Sequence, residues 1–277
     1  MNSNFGDYKI PTTLQSLIEL QNVLADSEKF YHGFNFYLTL ESGVRYFNTP
    51  SDVAVFGSLG IDGVHYGFLT DFGLVINLEE APIVCVCPTD FERPTRIVAK
   101  NLREFLRINV SDSMLFYNDF DSEKDYLETR EQLDNEDANS IYQQTKNEKL
   151  IQERVTKYLM DKIQIPFIEN PYRYVQEVEV ERKRNVSINT QDGLGIITPL
   201  LQGETHMPFQ MNKEVYPDMN LLQEYLYCAP IASRQALLRD IQHYFVLQDH
   251  QDLFKIVIDA MLNMKLINEV KRLSVDI

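Results

Sequence analysis

The chain has 277 residues, and a chain of this length buries roughly 70–75% of its extended surface, so its core needs no disulfide or metal staple. Hydrophobic residues make up 44% and charged residues 24%, with 11 Gly and 11 Pro, which excludes collagen-like and low-complexity classes. A net charge of −15 offers no basic face to neutralise phosphates, which excludes a general nucleic-acid binder.

Such acidity favours a basic partner through steering and complementarity, and it equally serves plain solubility. It is unevenly spread. Residues 1–111 hold 13 acids and 8 bases, residues 112–137 hold 10 acids and 2 bases, and the last 140 residues contribute only −2. Three cysteines, Cys85, Cys87 and Cys228, are no disulfide framework in a chain this long and point to a reducing compartment. Residues 1–13 lack a basic start and an apolar core, and no apolar run reaches the ~18–20 residues of a membrane span. The expectation is a cytoplasmic protein with no membrane contact.

In chain order, Thr12 or Thr13 caps a helix whose apolar face is Leu14, Leu17, Ile18, Leu20 and Leu24. Phe34, Phe36, Leu38 and Leu40 then alternate with polar residues, predicting a strand, and after Ser42-Gly43 residues 44–47 read as its hairpin partner. Residues 48–51 form a turn, and residues 52–56 a short element before Gly57 and Gly60. Residues 64–70 and 74–78 read as strands. The proline-bounded run 82–88 suits a strand buried on both faces. A helix is predicted from Thr95, with Ile97, Val98, Leu102, Phe105 and Leu106 inward. Residues 1–111 therefore read as an α+β domain, an antiparallel sheet with helices packed on one side.

Residues 112–137 read as an acidic connection with helical turns near Tyr126. Residues 138–277 form a mostly helical C-terminal region. It contains a helix over 138–165, facing Ile141, Leu150, Ile151, Val155, Tyr158, Leu159 and Ile163 inward, and an alternating strand over 172–180. After a turn at 191–193 a strand is expected at 195–200, followed by helices over 221–227, 233–247 and 253–267.

Catalytic patterns are sparse. No phosphate-cradling or dinucleotide-binding glycine motif is present, and Gly57-Ser58-Leu59-Gly60 lacks the flanks of a nucleophile turn. The five histidines fall at no metal-ligand spacing, so neither metal nor cofactor is expected. Cys85 and Cys87 share one side of a strand, where they suit a soft metal or oxidation, or pack as small hydrophobes in a Val/Ile run. Asp62 and His65, three apart on one strand, face opposite sides, and Asp62 reads as a turn residue. Arg182-Lys183-Arg184 reads as the solvated end of a hairpin.

One family pattern emerges. Residues 46–50, Phe56-Gly57, the run Gly60-Ile61-Asp62-Gly63-Val64-His65-Tyr66-Gly67-Phe68, the run 82–88, and residues 97–106 ending in Phe105-Leu106 together resemble the SUKH superfamily over roughly residues 10–110. That group includes fungal cell-wall synthesis regulators and many bacterial immunity proteins. The resemblance implies a central antiparallel sheet in which Asp62, Gly63, His65, Tyr66 and Gly67 are a structural motif, with no catalytic residue. It further implies a protein that neutralises a toxin by direct association, where a basic toxin surface suits a net −15 partner. Asp119, Asp121, Glu123, Asp125 and Glu128 are then the candidate binding face, or else a solvated acidic linker. Other open readings are a regulatory scaffold docking through 233–267, and an enzyme using the region Asp62 to Phe68.

Overall fold

The computed structural model describes residues 4–24, 27–40, 45–139, 145–211 and 215–274. The chain is α+β. Five short strands, β1 (Tyr37–Leu38), β2 (Val53–Ser58), β3 (His65–Leu69), β4 (Ile83–Val86) and β5 (Thr95–Ala99), form one antiparallel sheet in chain order. Tyr66 lies opposite Cys85, and Cys85 opposite Arg96, across the central strands. Before the sheet stand α1 (Thr12–Leu24) and α2 (Ser27–Phe34), and after it α3 (Leu102–Asp112), α4 (Glu123–Asn139), α5 (Lys146–Tyr158) and α6 (Pro171–Asn185). The C-terminal part adds α7 (Met219–Cys228), α8 (Ile231–Tyr244), α9 (Gln251–Asn263) and α10 (Ile267–Leu273). No helix among the described residues is long and apolar enough to cross a membrane.

Several elements differ from the sequence expectation, each for a local reason. Phe34 closes α2, Asn35 turns left-handed at φ 56°, and only then does the chain extend into β1. The apparent alternation of Phe34 and Phe36 is thus a helix end beside a strand start, both rings entering the core. β1 pairs with β2, and residues 45–50 are a loop pinned by Arg45, which donates to the carbonyls of Val53, Thr49 and Pro50. The hairpin turn at Ser42-Gly43, with Val44, lies outside the described residues, as does Ile141. Residues 74–78 form no strand, because Asp71 (φ 47°), Phe72 (φ 53°) and Gly73 (φ 87°) turn the chain left-handed as β3 ends. Thr95 starts β5, and the helix begins at Leu102, where the Asn101 side chain accepts from the Glu104 N–H at 3.0 Å.

The stretch 172–180 is helical, not extended. Asn170 caps α6, Pro171 occupies its first turn, and Val175, Val178 and Arg182 fall on one buried stripe at spacings of three and four. Residues 195–200 supply only an isolated bridge, Ile196 to Ile188. The last predicted helix stops at Asn263, Lys265 (φ 61°) turns the chain, and α10 follows from Ile267. Leu150, expected to face inward, is exposed on α5, whose buried residues are Ile151 and Val155.

Alternation along the strands sorts two apolar layers. Ala54, Phe56, Tyr66, Phe68, Ile83, Cys85 and Val98 face a core shared with α1, α2, α3 and α5. Val53, Val55, Leu69, Val84, Val86 and Ile97 face the other way and are covered by Val178, Tyr174 and Leu194. The sheet is therefore covered on both sides, with α6 over the face that the one-sided expectation left open. The first core also takes Met114, Leu115, Phe116 and Tyr126 from the acidic stretch, and Ile151, Val155 and Leu159 from α5. A further cluster gathers Leu222, Leu238, Ile241, Leu253, Val257 and Met261, and Phe72 of the sheet's turn belongs to it.

Candidate functional site

Phe72 marks where the sheet meets the C-terminal helices, and the junction is built from buried charge. Arg182 grips Asp71 with two bonds, at 2.8 and 2.6 Å, and also donates to the carbonyls of Leu194 and Gly195, both at 2.9 Å. Arg239, fully buried over the Phe72 ring, donates to Asp52 at 2.5 Å and to the Gly195 carbonyl at 2.7 Å. Asp71 and Asp192 stand 3.6 and 3.9 Å from the same guanidinium. Burial works against the Arg239 charge, but the surrounding carboxylates outweigh it and hold the proton more firmly than usual. Arg272 donates to the carbonyls of Asn4 and Ser51 and lies 3.4 Å from Glu269, whose carboxyl burial pushes up. Groups this deep persist because each charge is met by another. Arg182 is thus no solvated hairpin end. It is a ligand of the sheet.

Of the motif around β3, His65, Tyr66 and Gly67 lie in the strand, and Asp62 and Gly63 in the turn before it. His65 is fully buried, Nδ1–H donates to the Gly63 carbonyl at 2.7 Å, and the Thr49 hydroxyl stands 3.1 Å from Nε2. Burial lowers its pKa to about 4, with a small further push from Arg45, against the Gly63 bond. Asp62 is exposed at φ 51°, and Gly63 at φ 70° passes the Tyr46 ring so closely that a Cβ there meets it at 2.5 Å. A Cβ on Gly67 meets Val53 at 2.4 Å, so this strand demands glycine through packing. Tyr66 sits in the first core on the opposite face from His65.

The acidic residues do not act as one group. Asp119 accepts from Arg93 and, at 2.7 Å, from Arg96, which Asp90 also holds at 2.8 Å. Partial burial pushes the Asp119 carboxyl up, yet Arg96 outweighs it and keeps the group below the usual carboxylate range. Glu123 is likewise lowered, by hydrogen bonds from Asn170 (2.6 Å) and Arg173 (3.0 Å) that tie α4 to α6. Asp125 accepts the Asp121 N–H at 3.2 Å, and Glu128 pairs with Lys124 in open solvent. Beyond Tyr126, α4 is intermediate only at Thr129 and Arg130 and exposed at every other position through Glu136, with Leu127 and Leu133 facing water among the acids.

The Arg93–Arg96–Asp119 cluster fixes the turn 89–94, and that turn carries an aromatic the sequence reading passed over. Phe91 is 74% exposed and lines a cleft of about 840 Å³ with Phe47, Glu92, Gln191, Gln210, Met211, His243 and Tyr244. Asp240, one helical turn before Tyr244, accepts the Gln191 N–H at 2.8 Å, and burial raises its pKa to about 6. An exposed Phe inside a charged turn was the available signal. No group of three or more His, Cys, Asp or Glu among the described residues is placed to hold a metal ion. No protein-family model matches the chain, and no curated protein matches it significantly.

Proposed function

We propose that the chain acts by binding a basic protein surface, with the acidic stretch 119–136 steering the partner and the Phe47–Phe91 cleft anchoring it. One observation carries this reading: a well-exposed phenylalanine lines a sizeable cleft, on a turn clamped to the most acidic segment of the chain. Solvent-facing aromatics in a concave site are what interface hot spots are made of, and the flanking acids raise the association rate. The SUKH resemblance of residues 10–110 supports a toxin as that partner and immunity as the role.

The test uses the product of a neighbouring toxin gene and the intact chain. Asp119 and Glu123 hold the fold, so the charge reversals belong at Asp121, Asp125 and Glu128. The triple lysine variant is expected to associate at least ~10-fold more slowly at low salt, with a flatter salt dependence. Phe91→Ala is expected to speed dissociation, with a loss of about 2 kcal/mol in binding. Unchanged kinetics in both discard the surface, and a toxin-bearing host left unprotected by the wild-type chain discards immunity.

A further inference from the structure

Cys85 lies on β4 and Cys87 one residue past its end, and both side chains belong to the first core. Their sulfurs are 3.9 Å apart. A two-coordinate ion holds its two thiolates nearly in line, with the sulfurs a little over ~4 Å apart, so loading asks the pair to spread by only a few tenths of an ångström. A disulfide suits the pair less well, since same-face strand positions hold their Cα atoms ~6.6 Å apart, near the upper limit of disulfide geometry.

The surroundings favour an anionic complex. Arg96, opposite Cys85 in register and 7% exposed, points Nη1 at the Cys87 sulfur, 3.4 Å away, while Asp90 and Asp119 hold its Nη2. On the other flank Tyr66, opposite Cys85 on β3, is fully buried, and its hydroxyl has no hydrogen-bond partner among the described residues. Cys87 is the member that reaches solvent, at 5% exposure.

The donor count selects the ion. No third His, Cys, Asp or Glu completes the group among the described residues, so a tetrahedral zinc centre is not formed here. Two soft thiolates instead suit monovalent copper, which accepts few ligands. We propose that Cys85 and Cys87 form a dithiolate site for monovalent copper, with Tyr66 and Arg96 packed against it. Binding releases the two thiol protons and leaves a complex of net charge −1, toward which Arg96 directs its donor.

The experiment offers copper(I) to the reduced, full-length chain under anaerobic conditions, in competition with a chromogenic copper(I) chelator. One copper per chain is expected, with affinity falling at least ~100-fold in Cys85→Ala and in Cys87→Ala and unchanged in Cys228→Ala. X-ray absorption at the copper edge of the loaded wild-type chain supplies a reading that needs no variant, and a first shell made of sulfur neighbours is expected. Copper that stays with the double alanine variant, a metal edge showing only nitrogen and oxygen neighbours, or a wild-type chain that takes no copper from the chelator overturns the proposal.

Discussion

Replacing Arg182 by methionine removes the charge that joins α6 to the sheet while keeping most of the side-chain volume. In the native chain this guanidinium makes two bonds to Asp71 and one each to the Leu194 and Gly195 carbonyls. After the change Gly195 keeps its bond from Arg239, whereas Asp71, 3% exposed, retains only the 3.6 Å approach of that same residue. Breaking one side of a buried pair costs about 3–5 kcal/mol, because the remaining charge stays in a poor dielectric. The left-handed backbone at Asp71 and Phe72 adds to the cost, since such conformations persist only where surrounding contacts over-determine them. Against a total stability of ~5–15 kcal/mol the loss is large. Urea unfolding followed by far-ultraviolet circular dichroism and tyrosine emission measures it, the chain having no Trp. The double variant with Asp71→Asn is expected to lose less than the sum of the singles, with a coupling of about 1–3 kcal/mol. A single-variant loss below ~1 kcal/mol, or additive singles, refutes the reasoning.

His65, fully buried with a pKa near 4, binds its proton more weakly folded than unfolded, so stability is complete above ~6.5 and falls with pH down to about 4. The loss is about 3 kcal/mol in a pH series of urea melts, and His65→Gln is expected to remove that slope. Asp240 has the opposite sign: with its folded pKa raised to about 6, its stability contribution is complete below ~4 and lost as pH rises through 6. Asp240→Asn still accepts the Gln191 N–H, and is expected to stabilise the chain by about 1–2 kcal/mol at pH 8, with no effect near pH 4. A chain ending at residue 112 exposes the Val53, Val55, Val84 and Val86 face that α6 covers, and is expected to fail to give a cooperative melt or dispersed amide spectrum.

Helix α1, strands β3 and β4, and the C-terminal helices are legible in the sequence because burial imposes a clean period on each. Leu14, Leu17 and Leu20 mark one helical stripe, and the run from Ile83 to Val86 is apolar throughout because both its faces are covered. Double coverage also hides elements. In β5, Ile97 and Val98 enter different cores, so the strand merges with the Leu102, Phe105 and Leu106 stripe of α3 and reads as one helix. Tyr172, Tyr174, Val178 and Val180 alternate as a strand does, yet Val180 is 45% exposed, and the stripe in use runs Val175, Val178, Arg182. A buried arginine answers a distant aspartate, and no local pattern reveals that partner. The same holds for the cleft, whose walls come from five separate stretches of chain.

The charge that makes association plausible is also the charge that the fold leaves outside. Among the described residues the buried side chains that carry a formal charge at neutral pH are Arg96, Arg182, Arg239 and Arg272 against Asp52, Asp71, Asp192 and Glu269, four of each sign. They cancel formally, so burial absorbs none of the net −15. The acids that hold the molecule together are thus largely distinct from those that set its field. Asp119 and Glu123 bridge the two sets, one clamping the turn of Phe91 and the other tying α4 to α6. A field carried at the surface is screened beyond about 8 Å at physiological salt, whereas the seam of Arg182 and Arg239 is shielded by burial. Salt therefore separates the two roles: raising it weakens attraction for a basic partner while leaving the junction of sheet and helices in place.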